Sequence, residues 1–196
     1  MKTTRTYSMG TRAGAAAATR ERIAREAMAL FLEHPYEDVT LAAIARAACV
    51  SHQTVLNHYE SKDGVVLAVA ELLAGETQSA RYDAEPGDVG GAVRALVGDY
   101  ERIGDANFRW AASERLDVLS ELLDEARKGH QDWLVAMFGA RLPATPSARR
   151  RAVHALHAAT DVYSWKLLRR DLGLSRSETE KTMADLVVGI LEGTPR

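Results

Sequence analysis

The amino-acid sequence predicts an all-α protein of about nine helices. Apolar residues recur at spacings of three and four in successive segments, as they do in helices that bury one face. Serine or threonine stands before several of these segments and glycine or proline after them, which are typical positions for helix starts and stops. With 196 residues, the chain is long enough for one large domain, or for a small domain and a larger one.

Composition and charge are typical of a globular, water-soluble protein. Hydrophobic residues make up 46% of the chain and charged residues 27%. No apolar run approaches the ~18 residues of a membrane helix, and the N-terminus lacks the pattern of a secretory signal, so we expect a cytoplasmic location. The net charge is −2, yet the N-terminal end is strongly basic. Its cations are Lys2, Arg5, Arg12, Arg20, Arg22 and Arg25, against Glu21 alone.

Residues 1–17 show no pattern of burial and are predicted to form a flexible basic arm. Such an arm can follow a DNA backbone or enter a minor groove, and a tail without a role is the alternative.

The first helix is predicted from near Ala18 and ends before Pro35, because the residue preceding a proline is driven out of the α conformation. Thr19 and Arg20 would then lie in its first turn, where backbone N–H groups and a cation can bind phosphate.

Two short helices are predicted next. The first has one apolar stripe, and Thr40 stands where a side chain can accept from the first turn. The link to the second contains Cys49, the only cysteine, which we expect to be a small buried side chain. The apolar positions are Leu41, Ile44, Ala45 and Ala48 in the first helix and Val55, Leu56 and Tyr59 in the second. This arrangement is typical of a helix-turn-helix, although a generic helical hairpin has the same pattern.

The outer face of the second short helix is polar and carries His52, Gln53, Thr54, Asn57 and His58. Asn and Gln side chains can pair bidentately with adenine edges in the major groove of DNA. We therefore predict that Gln53, Thr54 and Asn57 read bases.

The order of these elements resembles the N-terminal domain of the TetR family of transcriptional regulators. The resemblance rests on a long basic helix followed by the runs Thr40-Leu-Ala-Ala-Ile-Ala, Val50-Ser-His-Gln-Thr-Val-Leu-Asn-His-Tyr and Ser61-Lys-Asp-Gly-Val-Val. It covers about the first quarter of the chain. It implies that this region binds operator DNA and that a larger C-terminal helical domain dimerises and holds a small-molecule effector. Leu56 departs from the family, which usually has a phosphate-contacting Tyr at this position.

Phosphate contacts are predicted on two grounds. By position in the family's motif, the resemblance implies phosphate-binding roles for Thr40, His58 and Lys62. Helix face and side-chain chemistry add three further candidates: Thr19, Arg20 and Ser51.

A long helix is predicted from Lys62, capped by Ser61, to about Arg81. Its apolar residues lie almost all round, as expected of a helix between two layers. This helix would connect a DNA-binding domain, residues 18–64, to an effector-binding and dimerisation domain, residues 65–196.

Three helical segments are predicted after the break at Glu85-Pro86-Gly87. The first should end at Gly104, the second is short, and the third has the clearest apolar stripe in the chain. Bulky apolar side chains with a few polar groups line ligand cavities, although ordinary core packing gives the same pattern. The predicted effector contacts are Tyr100, Phe108, Trp110, His130, Trp133, Met137 and Phe138. His130 is either a satisfied core histidine or a polar handle for a ligand.

Two long helices are predicted at the end of the chain. Thr145-Pro146 favours a helix start, with the helix over about 147–172 and a stop at Gly173. The spacing of Ser175 and Glu178 predicts a capping box at the start of the last helix. Pairing the two helices with the same helices of a second copy would form a twofold four-helix bundle, and the resemblance implies the same homodimer.

The sequence contains no evident catalytic constellation. A Gly-x-Ser-x-Gly elbow, a phosphate-cradling glycine loop and a His-Glu-x-x-His zinc signature are all absent. His154 and His157 lie on adjacent helical turns, but a metal site needs further ligands, and packing is the favoured interpretation. We therefore expect no enzymatic activity, no cofactor and no metal.

These observations predict a homodimeric, ligand-responsive regulator, most simply a repressor. Its two helix-turn-helix units would read a palindromic operator at sites about one DNA turn, ~34 Å, apart. A small-molecule effector in the C-terminal domain would release it. The alternative is a helical small-molecule-binding or enzymatic protein with a vestigial helix-turn-helix, and an activator or an effector-independent regulator is a further possibility.

Overall fold

The computed structural model describes residues 9–81, 84–111 and 117–193. Every regular element in these ranges is helical, which confirms the predicted all-α fold. The α-helices are α1 Met9–Glu33, α2 Leu41–Ala47, α3 His52–Tyr59, α4 Lys62–Arg81, α5 Val89–Ala111, α6 Asp117–Phe138, α7 Pro146–Thr160, α8 Val162–Lys166 and α9 Arg176–Gly193. Among them lie two short 3-10 turns, Tyr36–Asp38 and Gly139–Arg141, and a π-helical turn, Leu167–Asp171. None of the helices in these ranges has a stretch with the length and hydropathy of a membrane span.

The chain divides into two compact units between Leu72 and Leu73, within α4. In the first unit, α2 packs against both α1 and α3. Its core contains Ile23, Ala27 and Phe31 of α1 and, of the positions that helical spacing predicted, Ile44, Ala45, Ala48, Val55 and Tyr59. Leu41 and Leu56 were predicted with them and are half-buried. Burial of these side chains leaves the polar face of α3 outside.

Helix α1 begins earlier than predicted, at Met9 and not near Ala18. Residues 9–17 of the predicted flexible arm are therefore helical, as their alanine-rich composition favours. Residues 1–8 lie outside the described residues, as does the side chain of Arg12. The domain limits at residues 17 and 64 stay predictions.

The second unit is a larger helical bundle. In it, α5 packs against α8 and α9, α7 packs against α9, and α6 packs against α7. Its core includes Leu96, Val97, Trp133, Leu134, Phe138, Leu156, Trp165, Met183 and Val187. The structure thus has the predicted larger C-terminal helical domain.

Helix α5 does not end at Gly104 but continues to Ala111, so the separate short helix predicted around Phe108 and Trp110 is wrong. A Cβ atom at Gly104 would lie 2.5 Å from Cζ3 of Trp165, which is fully buried. The glycine therefore allows α8 to pack closely on α5.

The helix predicted over 147–172 is broken at Asp161. The backbone of Asp161 is extended, with ψ 155°, and its carboxylate accepts from the N–H of Tyr163 at 2.9 Å. This bond caps the start of α8.

Gly173, with φ +69°, ends this part of the chain as predicted. Ser175 and Glu178 form the predicted capping box through two bonds of 2.8 and 3.2 Å. Thr145 precedes the first residue of α7, but its side chain makes no capping bond.

Candidate nucleic-acid interface

Helix α3 presents a polar outer face. Gln53 and Asn57 are exposed one turn apart, while Val55 and Tyr59 are buried on the opposite side. Nε2 of Gln53 donates to Oδ1 of Asn57 over 3.0 Å. This pairing leaves the Gln53 carbonyl as an acceptor and the Asn57 amide as a donor. The two side chains together can therefore supply the acceptor and donor that pairing with an adenine edge requires.

Thr40 and Ser51 are the N-caps of α2 and α3. Oγ1 of Thr40 accepts from the N–H of Ala43 at 3.1 Å, and Oγ of Ser51 accepts from the N–H of Thr54 at 3.0 Å. The hydroxyls of Ser51 and Thr54 also lie 2.8 Å apart. Each of these predicted phosphate-binding hydroxyls thus stabilises a short helix. Thr54, a predicted base reader, is half-buried, and its hydroxyl is engaged in the cap.

Arg20 ties α1 to the end of α3. Its Nη1 donates to the carbonyl of His58, and its guanidinium lies 4.3 Å from the centroid of the Tyr59 ring. Oη of Tyr59 donates back to the Arg20 carbonyl at 2.6 Å, and burial raises the pKa of this phenol. These contacts fix the last turn of α3 against α1.

Thr19 and Arg20 do not lie in the first turn of a helix, because α1 begins at Met9. Their backbone N–H groups are inside the helix, so the predicted joint grip on phosphate by N–H groups and a cation is wrong. The hydroxyl of Thr19 donates to the carbonyl of Ala15 at 2.9 Å. A phosphate contact by the two side chains stays a prediction.

Lys62, the first residue of α4, is held by Tyr36. Its Nζ donates to the Tyr36 carbonyl and lies 3.8 Å from the centroid of the Tyr36 ring. Oη of Tyr36 donates to Oδ1 of Asp63 at 2.7 Å. Burial lowers the pKa of the Lys62 ammonium, and carboxylates nearby oppose this. Burial, together with the bond to Asp63, raises the pKa of Tyr36 to about 12.

Sequence analysis missed three residues of this region: Arg22, Tyr36 and Asp63. Nε of Arg22 donates to the carbonyl of Ala48 at 3.1 Å, at the end of α2. The contacts of these residues join positions at least 26 apart in the chain. Helical periodicity carries no signal for contacts of this kind, because it reports only which face of one helix is buried.

The turns before and after α3 have left-handed backbone. Cys49 has φ +53° and Glu60 has φ +63°, in a region that favours glycine. The N–H of Ser61 donates to the Tyr59 carbonyl at 2.6 Å and closes a γ-turn around Glu60. Cys49 is exposed, so its predicted burial is wrong. Cys49 follows the last residues of α2, so it lies outside the apolar stripe of that helix.

Comparison with protein families identifies the region that contains these contacts. Residues 23–69 match the model of the bacterial regulatory proteins of the tetR family. These residues are a TetR-family N-terminal domain. The resemblance seen between Thr40 and Val66 is therefore confirmed. No curated protein matches the sequence.

Solved structures extend the TetR-family fold beyond the matched domain. A tetR-family transcriptional regulator from Streptomyces coelicolor has a TM-score of 0.75 at 16% identity, over 91% of this chain and 82% of its own. A putative transcriptional regulator from Pseudomonas aeruginosa PAO1 has a TM-score of 0.68 at 16% identity, over 89% and 90%. The multidrug binding protein EbrR, solved in complex with imidazole, has a TM-score of 0.61 at 18% identity, over 85% and 88%.

Six of the seven predicted effector residues are buried in the larger, C-terminal unit of the chain. They are Tyr100, Trp110, His130, Trp133, Met137 and Phe138. The ring centroids of His130 and Trp133 lie 5.5 Å apart, and those of Trp133 and Phe138 lie 6.5 Å apart. Phe108 is half-buried and packs edge to face against Tyr163 at 5.2 Å. The structure therefore brings His130, Trp133 and Phe138 together, and Phe108 packs from its half-buried position against the hydrophobic core that contains Trp133 and Phe138.

His130 belongs to a polar network that sequence analysis missed. Its Nδ1 lies 3.0 Å from Nη1 of Arg81 and its Nε2 lies 2.8 Å from Oγ1 of Thr160. Burial and the neighbouring Arg81 lower the pKa of His130 to about 3, so the imidazole is neutral. Arg81 also pairs with the buried Asp99 at 3.3 Å, and Oη of Tyr100 donates to the Thr160 carbonyl at 3.0 Å.

His154 and His157 do not share a site. His154 is exposed, whereas Nε2 of His157 lies 3.2 Å from Oδ2 of Asp161 and its ring packs edge to face on His130 at 4.7 Å. In the part of the chain that the structure describes, no three His, Cys, Asp or Glu side chains are grouped to hold a metal ion. The arrangement is that of a packed polar network.

Proposed function

We propose that this chain is a homodimeric transcriptional regulator that binds a palindromic operator through α3 and is released by a small-molecule effector in the C-terminal domain. A repressor is the simplest form of such a regulator, because a dimer seated on an operator excludes other proteins from it. The observation that carries the proposal is the exposed Gln53–Asn57 pair on the second helix of a TetR-family helix-turn-helix.

Base reading is assigned to Gln53, Thr54 and Asn57. The amides of Gln53 and Asn57 are already oriented by their mutual hydrogen bond, so less side-chain freedom is lost when they meet a base edge. The Thr54 hydroxyl is engaged with Ser51, which leaves its methyl group for contact with a thymine methyl.

Phosphate binding is assigned to six residues of the first unit: Thr19, Arg20, Thr40, Ser51, His58 and Lys62. The cations Arg20 and Lys62 retain N–H donors beyond those used within the protein. Thr40 and Ser51 lie at helix N-termini, where backbone N–H groups also favour an anion. Thr19 has the least support, because its hydroxyl already donates to a backbone carbonyl.

The homodimer is assigned to the last two helical regions. Tyr163, Leu167, Leu172 and Leu186 are large apolar side chains with between 47% and 61% of their surface exposed. Burial of such side chains against the same residues of a second copy would remove them from water. The effector is assigned to the neighbourhood of Tyr100, His130 and Trp133, and the fold neighbour EbrR, named as a multidrug binding protein, supports a small-molecule role for this domain.

Selection from a pool of random-sequence duplexes tests the proposal. The purified chain should enrich one sequence with twofold symmetry, whose half-sites are centred about one helical turn apart. Recovery of no preferred sequence would contradict the proposal and favour a protein with a vestigial helix-turn-helix. A reporter gene placed behind the selected sequence then distinguishes repression from activation.

Replacing Asn57 with Ala should weaken binding to the selected duplex by about 1–3 kcal/mol and relax the preference at one base pair of each half-site. Titration of the variant against duplexes substituted at single positions measures both effects. Asn107→Ala, the same change in α5, is the matched control and should leave affinity unchanged. Equal loss on every duplex would remove Asn57 from the base readers.

A further inference from the structure

The ammonium group of Lys62 contacts Tyr36, whose backbone carbonyl and ring together form a seat for it. Nζ of Lys62 donates to the Tyr36 carbonyl and lies 3.8 Å from the centroid of its ring, within the range of a cation–π contact. Lysine side chains are ordinarily mobile, since four rotatable bonds separate the amine from the backbone. Here two contacts with one residue restrict the amine to the start of α4.

Tyr36 is itself held on both sides. Its ring stacks on that of Phe31, with centroids 6.1 Å apart and planes at 9°, and Phe31 is fully buried in the first unit. Its Oη donates to Oδ1 of Asp63 at 2.7 Å, and Asp63 is the neighbour of Lys62 in α4. The seat is therefore a rigid part of the fold, and it is linked to α4 through both Lys62 and Asp63.

The seat leaves Lys62 able to bind an anion. An ammonium has three N–H donors, of which one is used by the Tyr36 carbonyl and the ring face takes up positive charge without a directed bond. Lys62 is half-buried, so part of its surface is open. An amine that is already fixed loses less conformational freedom on meeting a phosphate than a mobile amine does.

We propose that Tyr36 is a positioning residue for DNA binding, and that it acts by holding the Lys62 ammonium where a backbone phosphate meets it. This inference rests on the proposed function. Tyr36 itself does not contact DNA in the proposed complex. Its effect on affinity is transmitted through Lys62 alone, and that property separates positioning from a general contribution to folding.

A double-substitution cycle tests the inference, with the duplex that the unsubstituted chain selects from a random pool as the probe. Lys62→Met should weaken binding about tenfold and reduce the slope of log affinity against log salt by about 0.9. Tyr36→Leu should weaken binding about threefold in the unsubstituted chain and have no further effect in the Lys62→Met chain. Tyr36→Phe, which keeps the ring and the carbonyl, should restore most of the affinity lost in Tyr36→Leu.

A second pair of variants covers the case in which Tyr36→Leu does not fold. Pentafluorophenylalanine at position 36 has nearly the shape of phenylalanine but lacks the negative ring face that attracts a cation. It should weaken binding relative to Tyr36→Phe only when Lys62 is present. An equal loss with and without Lys62, or a salt slope unchanged by Lys62→Met, would overturn the inference alone, whereas absence of any duplex preference in the unsubstituted chain would contradict the proposed function as well.

Discussion

Cys49 is the residue at which backbone conformation and side-chain identity conflict most clearly. With φ +53°, it lies in the left-handed region, where a Cβ atom collides with the neighbouring carbonyl oxygen. Cys49 lies in the short turn between α2 and α3, where the N–H of Val50 donates to the Ala45 carbonyl at 2.9 Å and ends α2. The helix-turn-helix therefore contains a strained position that glycine would relieve.

Replacing Cys49 with Gly should stabilise the first unit by about 0.5–1 kcal/mol, since the relief of left-handed strain exceeds the added entropy of glycine in the unfolded chain. Urea denaturation measures the free energy of unfolding. Cys49→Ala is the control, because alanine keeps the Cβ atom and should give no such gain. A gain of the same size in both variants would show that loss of the thiol, and not relief of the backbone, is responsible.

His130 makes stability depend on pH. Its pKa is lowered from 6.5 to about 3 by burial and by Arg81. Between these values the unfolded chain binds a proton that the folded chain does not, so stability falls as the pH drops through this window. At pH 5 the loss amounts to about 2 kcal/mol relative to pH 7, because one pH unit corresponds to ~1.4 kcal/mol.

His130→Gln should remove this part of the pH dependence. Thermal or urea unfolding between pH 7 and pH 5 measures it as the difference between the variant and the unsubstituted chain, which cancels the contribution of other groups. His154→Gln is the control at an exposed histidine and should behave as the unsubstituted chain does. A pH profile unchanged by His130→Gln would contradict a neutral, buried imidazole.

Prediction from the sequence succeeded for single residues wherever local spacing decides the outcome. The buried face of α3, the exposed Gln53 and Asn57, and the cap Thr40 follow from periodicity and from the orphan N–H groups of a first turn. The Tyr36–Lys62 contact was not predictable in this way. It joins residues on different elements, and only the tertiary fold brings them together.

At the scale of helices, the structure differs from the prediction at two places. Glycine has low helix propensity and predicted an end at Gly104, but the helix continues to Ala111, and Trp165 occupies the space that a Cβ atom at Gly104 would take. Helical spacing gave no sign of a break at Asp161. Its carboxylate nevertheless caps α8 and so divides the single long helix predicted over 147–172. Where caps alone decide the boundary, as at Ser61 and Ser175, prediction and structure agree.

Gly104→Ala should destabilise the C-terminal domain by about 1–3 kcal/mol, the usual range for an inserted group that has no space. Three ring atoms of Trp165 lie within 2.9 Å of the position that the added Cβ atom would take, and that ring is fully buried and has no room to shift. Gly129→Ala, in α6, is the matched control. Nothing lies within 4 Å of its Cβ position, so it should stabilise by roughly 0.5–1 kcal/mol. Two losses of equal size would contradict the close approach at Gly104.

At the scale of the whole molecule, the two units have different chemistry. The first is small and carries cations around a polar helix, whereas the second is larger and encloses a neutral histidine within an aromatic core. Length left one domain or two open, and the resemblance to the TetR family implied the small N-terminal and larger C-terminal helical parts that the structure has. The polar network of Arg81, Asp99 and Thr160 could not be predicted, because its members lie on separate helices without a shared spacing.

Sedimentation of the chain with its selected duplex tests the central claim, that two copies held together by their last helices read one palindrome. We predict two chains per duplex and a dimer in the absence of DNA. Leu186→Glu should yield single chains with weakened binding, because it places a charge in the apolar contact, whereas Ala126→Glu at an exposed position of α6 should sediment as the unsubstituted chain does. A single chain at all concentrations, with equal affinity for every duplex, would contradict the account.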